Sequence, residues 1–366
     1  MKKIICSVLI VLVSMIQFLP VFADTQNVTS LEFNDIESIV TNYNQDIRAN
    51  NSSNIDTSSI SSSIINLTNA KTAIDKSITD MQAKVGSGSA IEDDIYSRLI
   101  ALYNIYSGQI QGQIGSLEGQ LKSSLSGFLR STQGNYAIIS GTQQLFLLYS
   151  ALSIQREELN IKAEQINAQL NITRLQKDMG MISESAFEDL SLQAQETEEA
   201  IKTVDENMDG VKSQINLMLG QSFNCTISLG ELPLIDNSLL AAMNYNTDLE
   251  TGRINNFDIR QFSSSDTYIM DNQTRKYKFT FDKKYKDVIN SKKSLDNEFV
   301  KLGREEKMLT AAKLKYDAGI ISKVDMQKQN YAFKIQLLNV KTAQKDLLQA
   351  YTAYQWLLRG YETSLK

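Results

Sequence analysis

The chain of 366 residues contains no histidine, which is the commonest general acid/base and a frequent metal ligand in proteins. Carboxylates alone can catalyse reactions such as glycoside hydrolysis. Here, however, nearly all of the 42 acidic residues alternate with Lys, Gln and Asn in helical patterns, which is typical of solvated helix faces. The composition therefore predicts a protein that is not an enzyme and that uses no metal or cofactor.

Proline is almost as scarce, with Pro20 and Pro233 as the two examples. An interior proline removes a helical hydrogen bond and clashes with the preceding turn, so long helices exclude it. A chain of this length with so little proline is compatible with an all-α fold, and Pro233 marks a place where the chain changes course.

The first 23 residues resemble a signal peptide. Lys2 and Lys3 precede an apolar run, and Val21-Phe22-Ala23 form a small-residue cleavage pattern before Asp24. The alternative is an uncleaved membrane anchor, so membrane association stays open. Cleavage would export the chain, leave one cysteine and hence no intrachain disulfide, and change the formal charge from -5 to -7. An acidic chain argues against nucleic acid as a partner.

Mostly apolar residues recur at alternating steps of three and four after Gly180, where nine of ten positions are apolar, and again 139 residues later after Gly319, where eight of ten are. This 3.5-residue period predicts helices that pack as coiled coils. The first set is Phe187, Leu190, Ala194, Thr197, Ile201, Val204, Met208, Val211, Ile215 and Met218, and the second is Met326, Gln329, Phe333, Gln336, Val340, Ala343, Leu347, Ala350, Tyr354 and Leu357.

Each set ends at a glycine, Gly220 or Gly360, as helices commonly do. The sequence thus predicts two repeats, each with a long antiparallel helical hairpin that turns at Gly180 or Gly319. The predicted boundaries are a signal peptide at 1–23, a first repeat at 24–220, a linker at 221–237 and a second repeat at 238–366. The starts of the repeats show a fainter similarity, between 36–51 and 239–256.

The second turn contains the pattern Tyr-x-x-Gly-x-x-Ser-x-x-Asp at Tyr316, Gly319, Ser322 and Asp325, followed by a long helix that ends on Leu-Leu-x-Gly. This duplicated arrangement, with a Leu-Pro junction between the copies, resembles the TolC-like outer membrane efflux proteins. The resemblance implies a homotrimer whose hairpins form a hollow tunnel in the cell envelope. It also implies that the turns face a membrane-fusion-type adaptor and an inner-membrane pump.

Two features depart from this family. Ala186 stands where the first copy should have the counterpart of Asp325, although Ser185 and Glu188 offer a capping box one register later. The strands of an outer-membrane barrel also need about 9 to 11 alternating residues each. The best candidate, 275–281, would place Tyr277, Phe279 and Phe281 on one face but is too short, so we expect the barrel to be reduced or absent.

The candidate docking residues lie at the two turns and are Gly180, Met181, Ile182, Ser183, Gly319, Ile320, Ile321, Ser322 and Asp325. Apolar side chains at a projecting turn indicate either a covered binding surface or packing between neighbouring hairpins, and both interpretations remain open. The glycines fit a structural role in the turn, and Ser322 with Asp325 fits a helix cap. The alternative function is a secreted coiled-coil spacer or adhesin without transport activity.

Overall fold

The computed structural model describes residues 28–52, 57–87, 90–261 and 267–363. The predicted signal peptide lies outside these ranges. Helix accounts for 85% of the structure, which confirms the predicted all-α class. The elements in chain order are β1 (Ser30–Leu31), a 3₁₀ turn (Phe33–Asp35), α1 (Ile36–Tyr43), α2 (Gln45–Ser52), α3 (Thr57–Gln82), α4 (Ala90–Asp178), α5 (Glu184–Met218), β2 (Ser228–Leu229), α6 (Asn237–Ala241), α7 (Tyr245–Asn255), α8 (Phe257–Arg260), α9 (Thr267–Asp317) and α10 (Lys323–Leu358).

The two predicted hairpins are α4–α5 and α9–α10, and each buries part of the predicted heptad pattern. Residues at these positions contact the partner helix because a 3.5-residue spacing keeps them on one face of a supercoiled helix. In α5 the buried positions include Thr197, Val204, Val211 and Ile215, and in α10 they include Gln336, Val340, Ala343, Leu347, Tyr354 and Leu357.

Helix α10 also packs against α4, so the four long helices lie in the order α5–α4–α10–α9. Two ion pairs join the inner helices, Lys334 to Glu164 at 2.6 Å and Lys341 to Glu157 at 2.7 Å. Within the described chain, α5 and α9 are therefore the edge helices of the row. The predicted linker 221–237 contains β2, which pairs in parallel with β1.

The core lies at the end of the hairpins that is remote from the Gly180 and Gly319 turns. One cluster surrounds Phe146 and joins β1, α1, α4, α5 and the end of α10. Trp356 belongs to it and donates a hydrogen bond to Gln143 at 2.7 Å. A second cluster surrounds Phe281 and Tyr354 between α9 and α10. Burial of these large side chains contributes most of the packing energy.

The ends of α5 and α10 rest on matching corners. Gly220 follows α5 and lies against the backbone of Tyr43 at the α1–α2 junction, while Gly360 follows α10 and lies against the backbone of Asn255 and Asn256 at the α7–α8 junction. The structure therefore matches residues 44–48 (Asn-Gln-Asp-Ile-Arg) with residues 256–260 (Asn-Phe-Asp-Ile-Arg). The predicted similarity of 36–51 to 239–256 reaches only as far as Asn256, the first residue of this structural match.

The barrel candidate 275–281 is helical and lies inside α9. Tyr277 and Phe281 are buried there and Phe279 points to solvent, so the three rings do not share a face as predicted for a strand. In the described chain the strands are limited to β1 and β2. Helix α4 includes one 18-residue stretch apolar enough to cross a membrane by length and composition, 28% of which is buried.

Candidate docking tips

The turn between α4 and α5 is built on Gly180, which has a positive φ of 70°. A glycine in this left-handed conformation commonly ends a helix. Here the amide of Gly180 donates to Lys177 O at 2.8 Å, and the amide of Met181 donates to Gln176 O at 2.8 Å. Ser183 then caps α5 by accepting a hydrogen bond from the amide of Ala186 at 3.2 Å. We name this turn, from residue 175 to residue 187, the first tip.

The turn between α9 and α10 repeats this backbone. Gly319 has a φ of 68°, its amide donates to Tyr316 O at 2.9 Å, and the amide of Ile320 donates to Lys315 O at 2.8 Å. Ser322 caps α10 by accepting from the amide of Asp325 at 3.1 Å. We name this turn, from residue 314 to residue 326, the second tip.

The cap of the first tip differs from its prediction. Ser183, and not Ser185 with Glu188, occupies the N-cap position. The two serine caps are therefore in the same register relative to Gly180 and Gly319. The third residue after the cap differs, since it is Ala186 in the first tip and Asp325 in the second.

The second cap carries an extra bond. The Ser322 hydroxyl donates to the Asp325 carboxylate at 2.7 Å. This hydrogen bond is the main reason why the pKa of Asp325 lies below its usual range. The positive charge of Lys328, at 4.0 Å, lowers the pKa by a smaller amount. The first tip lacks a carboxylate at this position and instead pairs Lys177 with Glu184 at 2.6 Å.

The two tips lie at the same level of the molecule. The ion pairs between α4 and α10 match Glu157 with Lys341 and Glu164 with Lys334. Because α4 and α10 are antiparallel, we can continue this register fifteen residues beyond Glu164 and Lys334. That step brings Met179 level with Gly319. By this register, the predicted residues of both turns lie at the same end of the hairpins and at about the same level.

Both tips expose apolar side chains at equivalent positions. Met181 is 66% exposed and its counterpart Ile320 is 71% exposed, whereas Ile182 and Ile321 are half-buried. The sequence prediction missed a second matched pair, since Leu175 and Leu314 are also exposed. The signal for this pair was available, because two leucines separated by the repeat distance of 139 lie outside the heptad pattern.

In chemical terms the tips offer apolar surface and capped helix ends, and no set of acid, base and nucleophile. Within the described residues no group of three His, Cys, Asp or Glu side chains is arranged to hold a metal ion. At the base of the first tip, Lys177 lies 4.7 Å from the ring centre of Phe187. Both tips end in exposed apolar side chains.

No protein-family model and no curated protein matches the sequence. Among solved structures, the chain is similar to the CmeC outer membrane channel of Campylobacter jejuni, with a TM-score of 0.41 and 11% sequence identity. That match covers 71% of this chain and 70% of the channel.

Proposed function

We propose that the chain is a non-enzymatic, TolC-like conduit component of the cell envelope, exported by its N-terminal signal, whose two tips dock an adaptor protein of a pump. The observation that carries the proposal is the pair of level tips with the same backbone and the same exposed apolar positions. Apolar side chains exposed to water at a projecting end raise the free energy of the protein, and a partner that covers them removes this cost.

The row of four helices supports assembly from several copies. Two hairpins are too narrow to enclose a channel, and both edge helices have solvent-exposed outer faces. Helix α5 carries nine acidic and two basic residues, whereas α9 carries thirteen basic and eight acidic residues. An edge of net negative charge complements one of net positive charge, so α9 of one copy packs against α5 of the next. Such a head-to-tail contact closes into a ring, here a homotrimer.

The docking role is tested by replacing Ile320 and Ile321 together with Asp. A charge buried without a partner at the contact should weaken adaptor binding more than about tenfold, since that desolvation costs about 2 kcal/mol or more. The double Asp variant of Met181 and Ile182 should weaken binding as well. The measurement is a pull-down with a membrane-fusion-type adaptor of the same host, together with thermal melting.

The matched control is Leu234→Asp, which changes an equally exposed apolar residue in the linker, away from both tips. We expect it to bind the adaptor normally. Unchanged binding in both tip variants would reject docking at the tips. Lost binding with a large fall in melting temperature would instead indicate that the tip residues pack within the assembly. A monomer by light scattering, in buffer and in detergent, would favour the spacer or adhesin function.

A further inference from the structure

The first half of α9 carries a cluster of positive charge. Residues 275–293 contain eight basic and two acidic residues, so their net charge is +6. The whole chain, in contrast, has a formal net charge of -5. Six of the basic side chains are exposed, and we name them the basic face: Arg275, Lys276, Lys278, Lys283, Lys286 and Lys293.

The basic face lies on the solvent side of α9. The buried residues Tyr277, Phe281 and Val288 occupy the opposite side of the helix, in the cluster shared with α10. Phe279 is 76% exposed and lies among the basic residues, and Ile289 is exposed as well. One surface therefore combines Lys and Arg with an aromatic and an aliphatic side chain that are open to solvent.

Most of this positive charge has no partner inside the chain. Arg275 pairs with Asp271 at 2.9 Å, and Lys286 pairs with Asp282 at 2.6 Å. The other four residues of the basic face form no ion pair within the described part of the chain, namely Lys276, Lys278, Lys283 and Lys293. Like charges at this density repel one another and raise the free energy of the folded helix, and an external anion removes this cost.

The repeated fold does not require this charge. The equivalent stretch of α4 lies 139 residues earlier, at 136–154, and contains no charged residue. That stretch is also helical and contributes Phe146 and Leu147 to the core. Because a helix without Lys or Arg occupies the same place in the first half, the basic face of the second half serves something outside the hairpin.

Helix α5 of a neighbouring copy does not supply the missing negative charge. The end of α5 from about residue 205 and the basic face both lie at the end of the hairpins that is remote from the tips. The acidic residues in this part of α5 are Asp205, Glu206 and Asp209, and each already pairs with a basic residue of its own chain, at 2.5, 3.9 and 3.5 Å. The other acidic residues of α5 lie between Glu184 and Glu199, close to the first tip.

We propose that the basic face binds the surface of a membrane that contains anionic phospholipids, with Phe279 inserted among the head groups. Each Lys or Arg near such a surface strengthens binding by about fivefold. Aromatic and aliphatic side chains beside the charges enter the boundary between head groups and acyl chains. A dissolved polyanion would neutralise the lysines but leave Phe279 and Ile289 in water, so the composition of this surface favours a bilayer.

The place of the basic face in the fold is compatible with this role. The Tyr277 hydroxyl donates to Leu357 O at 3.4 Å, close to the end of α10. From Lys293 to Gly319, α9 extends for about 39 Å toward the second tip. The chain can therefore contact a membrane at one end while its tips stay free at the other, and the inference does not depend on adaptor docking.

The experiment mixes the chain from Asp24 onward with vesicles of equal parts phosphatidylglycerol and phosphatidylcholine, and sedimentation measures the bound protein. We expect binding that concentrated salt reverses and that vesicles of phosphatidylcholine alone do not support. The test variant replaces four residues together with Gln: Lys276, Lys278, Lys283 and Lys293. It should bind at least about a hundredfold more weakly, since each charge contributes about fivefold.

The matched control also replaces four exposed lysines with Gln, so its net charge changes by the same amount. These lysines lie on other surfaces and are Lys76, Lys122, Lys162 and Lys307. The control should bind the vesicles as the unchanged chain does. Equal losses in the two fourfold variants would show that only the total charge matters and would overturn the proposal.

A single substitution tests the apolar part of the contact. Phe279→Ala leaves every charge in place and should weaken vesicle binding by about tenfold, because the ring no longer enters the interface. Phe223→Ala, which removes a ring that is 62% exposed in the linker, should leave binding unchanged. Equal binding by Phe279→Ala and the unchanged chain would reject insertion of this side chain.

Two further measurements separate the membrane from other anions and from the proposed function. Binding of soluble polyphosphate without binding of vesicles would assign the basic face to a dissolved polyanion and overturn the proposal. A lysine variant that keeps vesicle binding but loses assembly in light scattering would assign the basic face to a neighbouring copy instead. The double Asp variant of Ile320 and Ile321 should bind vesicles normally, so loss of adaptor docking and loss of membrane binding are distinguishable.

Discussion

The two halves of the chain are alike where the backbone turns and different where helices extend. The tips repeat the same glycine, hydrogen bonds and serine cap, and the ends of α5 and α10 repeat a glycine held against a corner. In contrast, α4 is 89 residues long and α9 is 51. Backbone geometry at a turn tolerates few alternatives, whereas a helix can lengthen by whole heptads without disturbing its neighbours. Divergence is therefore concentrated in the α3–α4 hairpin.

The largest difference between the halves should appear at the corner glycines. At Gly360, with a φ of 84°, an added Cβ would lie 2.0 Å from the backbone oxygen of Asn255. At Gly220 the nearest atom is Tyr43 O, at 2.7 Å. We expect Gly360→Ala to lower the free energy of unfolding by about 3–5 kcal/mol and Gly220→Ala by about 2–3 kcal/mol, because a backbone clash adds to left-handed strain. Urea unfolding of each variant measures the difference.

The control for this pair is Gly303→Ala in the middle of α9, where an added Cβ meets nothing within 4 Å. It should raise the free energy of unfolding by up to about 1 kcal/mol through helix propensity. If Gly360→Ala lowers the free energy of unfolding no more than Gly220→Ala does, the two corners adapt equally to an added Cβ. The closer backbone contact at Gly360 would then not affect stability.

The corners also mark what the sequence could and could not predict. The hairpins, the repeat distance and the tip glycines follow from local signals, namely a heptad period and a helix-stopping residue, and these predictions of the fold were confirmed. The match of Asn44 to Asn256 was not predicted, because the corner is defined by which helix end rests on it. That contact joins residues far apart in the chain, such as Asn44 and Met218. A similarity of a few polar residues cannot locate it.

For the candidate tips, the residues of each turn could be predicted, and their level alignment could not. The alignment depends on the ion pairs Glu157–Lys341 and Glu164–Lys334, which are exposed charges among many on α4 and α10. Nothing in the sequence singles out those partners. Leu175 and Leu314 were missed for a different reason, since a search for buried heptad positions passes over residues on the outer face.

The next largest effect should distinguish the two asparagine corners. Asn44 performs two tasks, because its Oδ1 accepts from the amide of Ile47 at 3.1 Å and its Nδ2 donates to Met218 O at 2.8 Å. In the second half Asn256 accepts from Ile259 and Asn255 donates to Leu358 O. Asn44→Ala should therefore cost about 2 kcal/mol, and Asn256→Ala alone about 1 kcal/mol.

The combined variant Asn255→Ala with Asn256→Ala tests this division of tasks. It should match Asn44→Ala in its unfolding midpoint, because both remove one helix cap and one bond to the end of a long helix. If Asn256→Ala alone already equals Asn44→Ala, the bond from Asn255 to α10 contributes nothing to stability and the two corners are energetically the same.

Smaller and equal effects should follow at the tip glycines. Gly180 and Gly319 have positive φ, but an added Cβ meets nothing within 4 Å at either one. Alanine at each should cost about 1 kcal/mol from left-handed strain alone. Asparagine, which tolerates this conformation, should cost less than alanine. Hydrogen exchange of the tip amides measures the local opening, and unequal effects of Gly180→Ala and Gly319→Ala would show that the tips differ in backbone as well as in side chains.

The smallest predicted effect is a response of the second tip to acid. The pKa of Asp325 is lowered chiefly by the hydrogen bond from Ser322, so ionised Asp325 stabilises the folded tip at pH values above the ordinary carboxyl pKa. This contribution is lost as the pH falls through the lowered pKa and the carboxylate gains a proton.

Ser322→Ala should shift the Asp325 pKa upward toward its ordinary value. The first tip has Ala186 at this position, so Ser183→Ala should weaken its cap without affecting a carboxylate bound to the cap. Carbon-detected NMR titration of the Asp325 carboxyl measures the shift, with amide exchange at both tips followed in parallel. An Asp325 pKa that stays as low in Ser322→Ala as in the unchanged protein would contradict the role of this hydrogen bond.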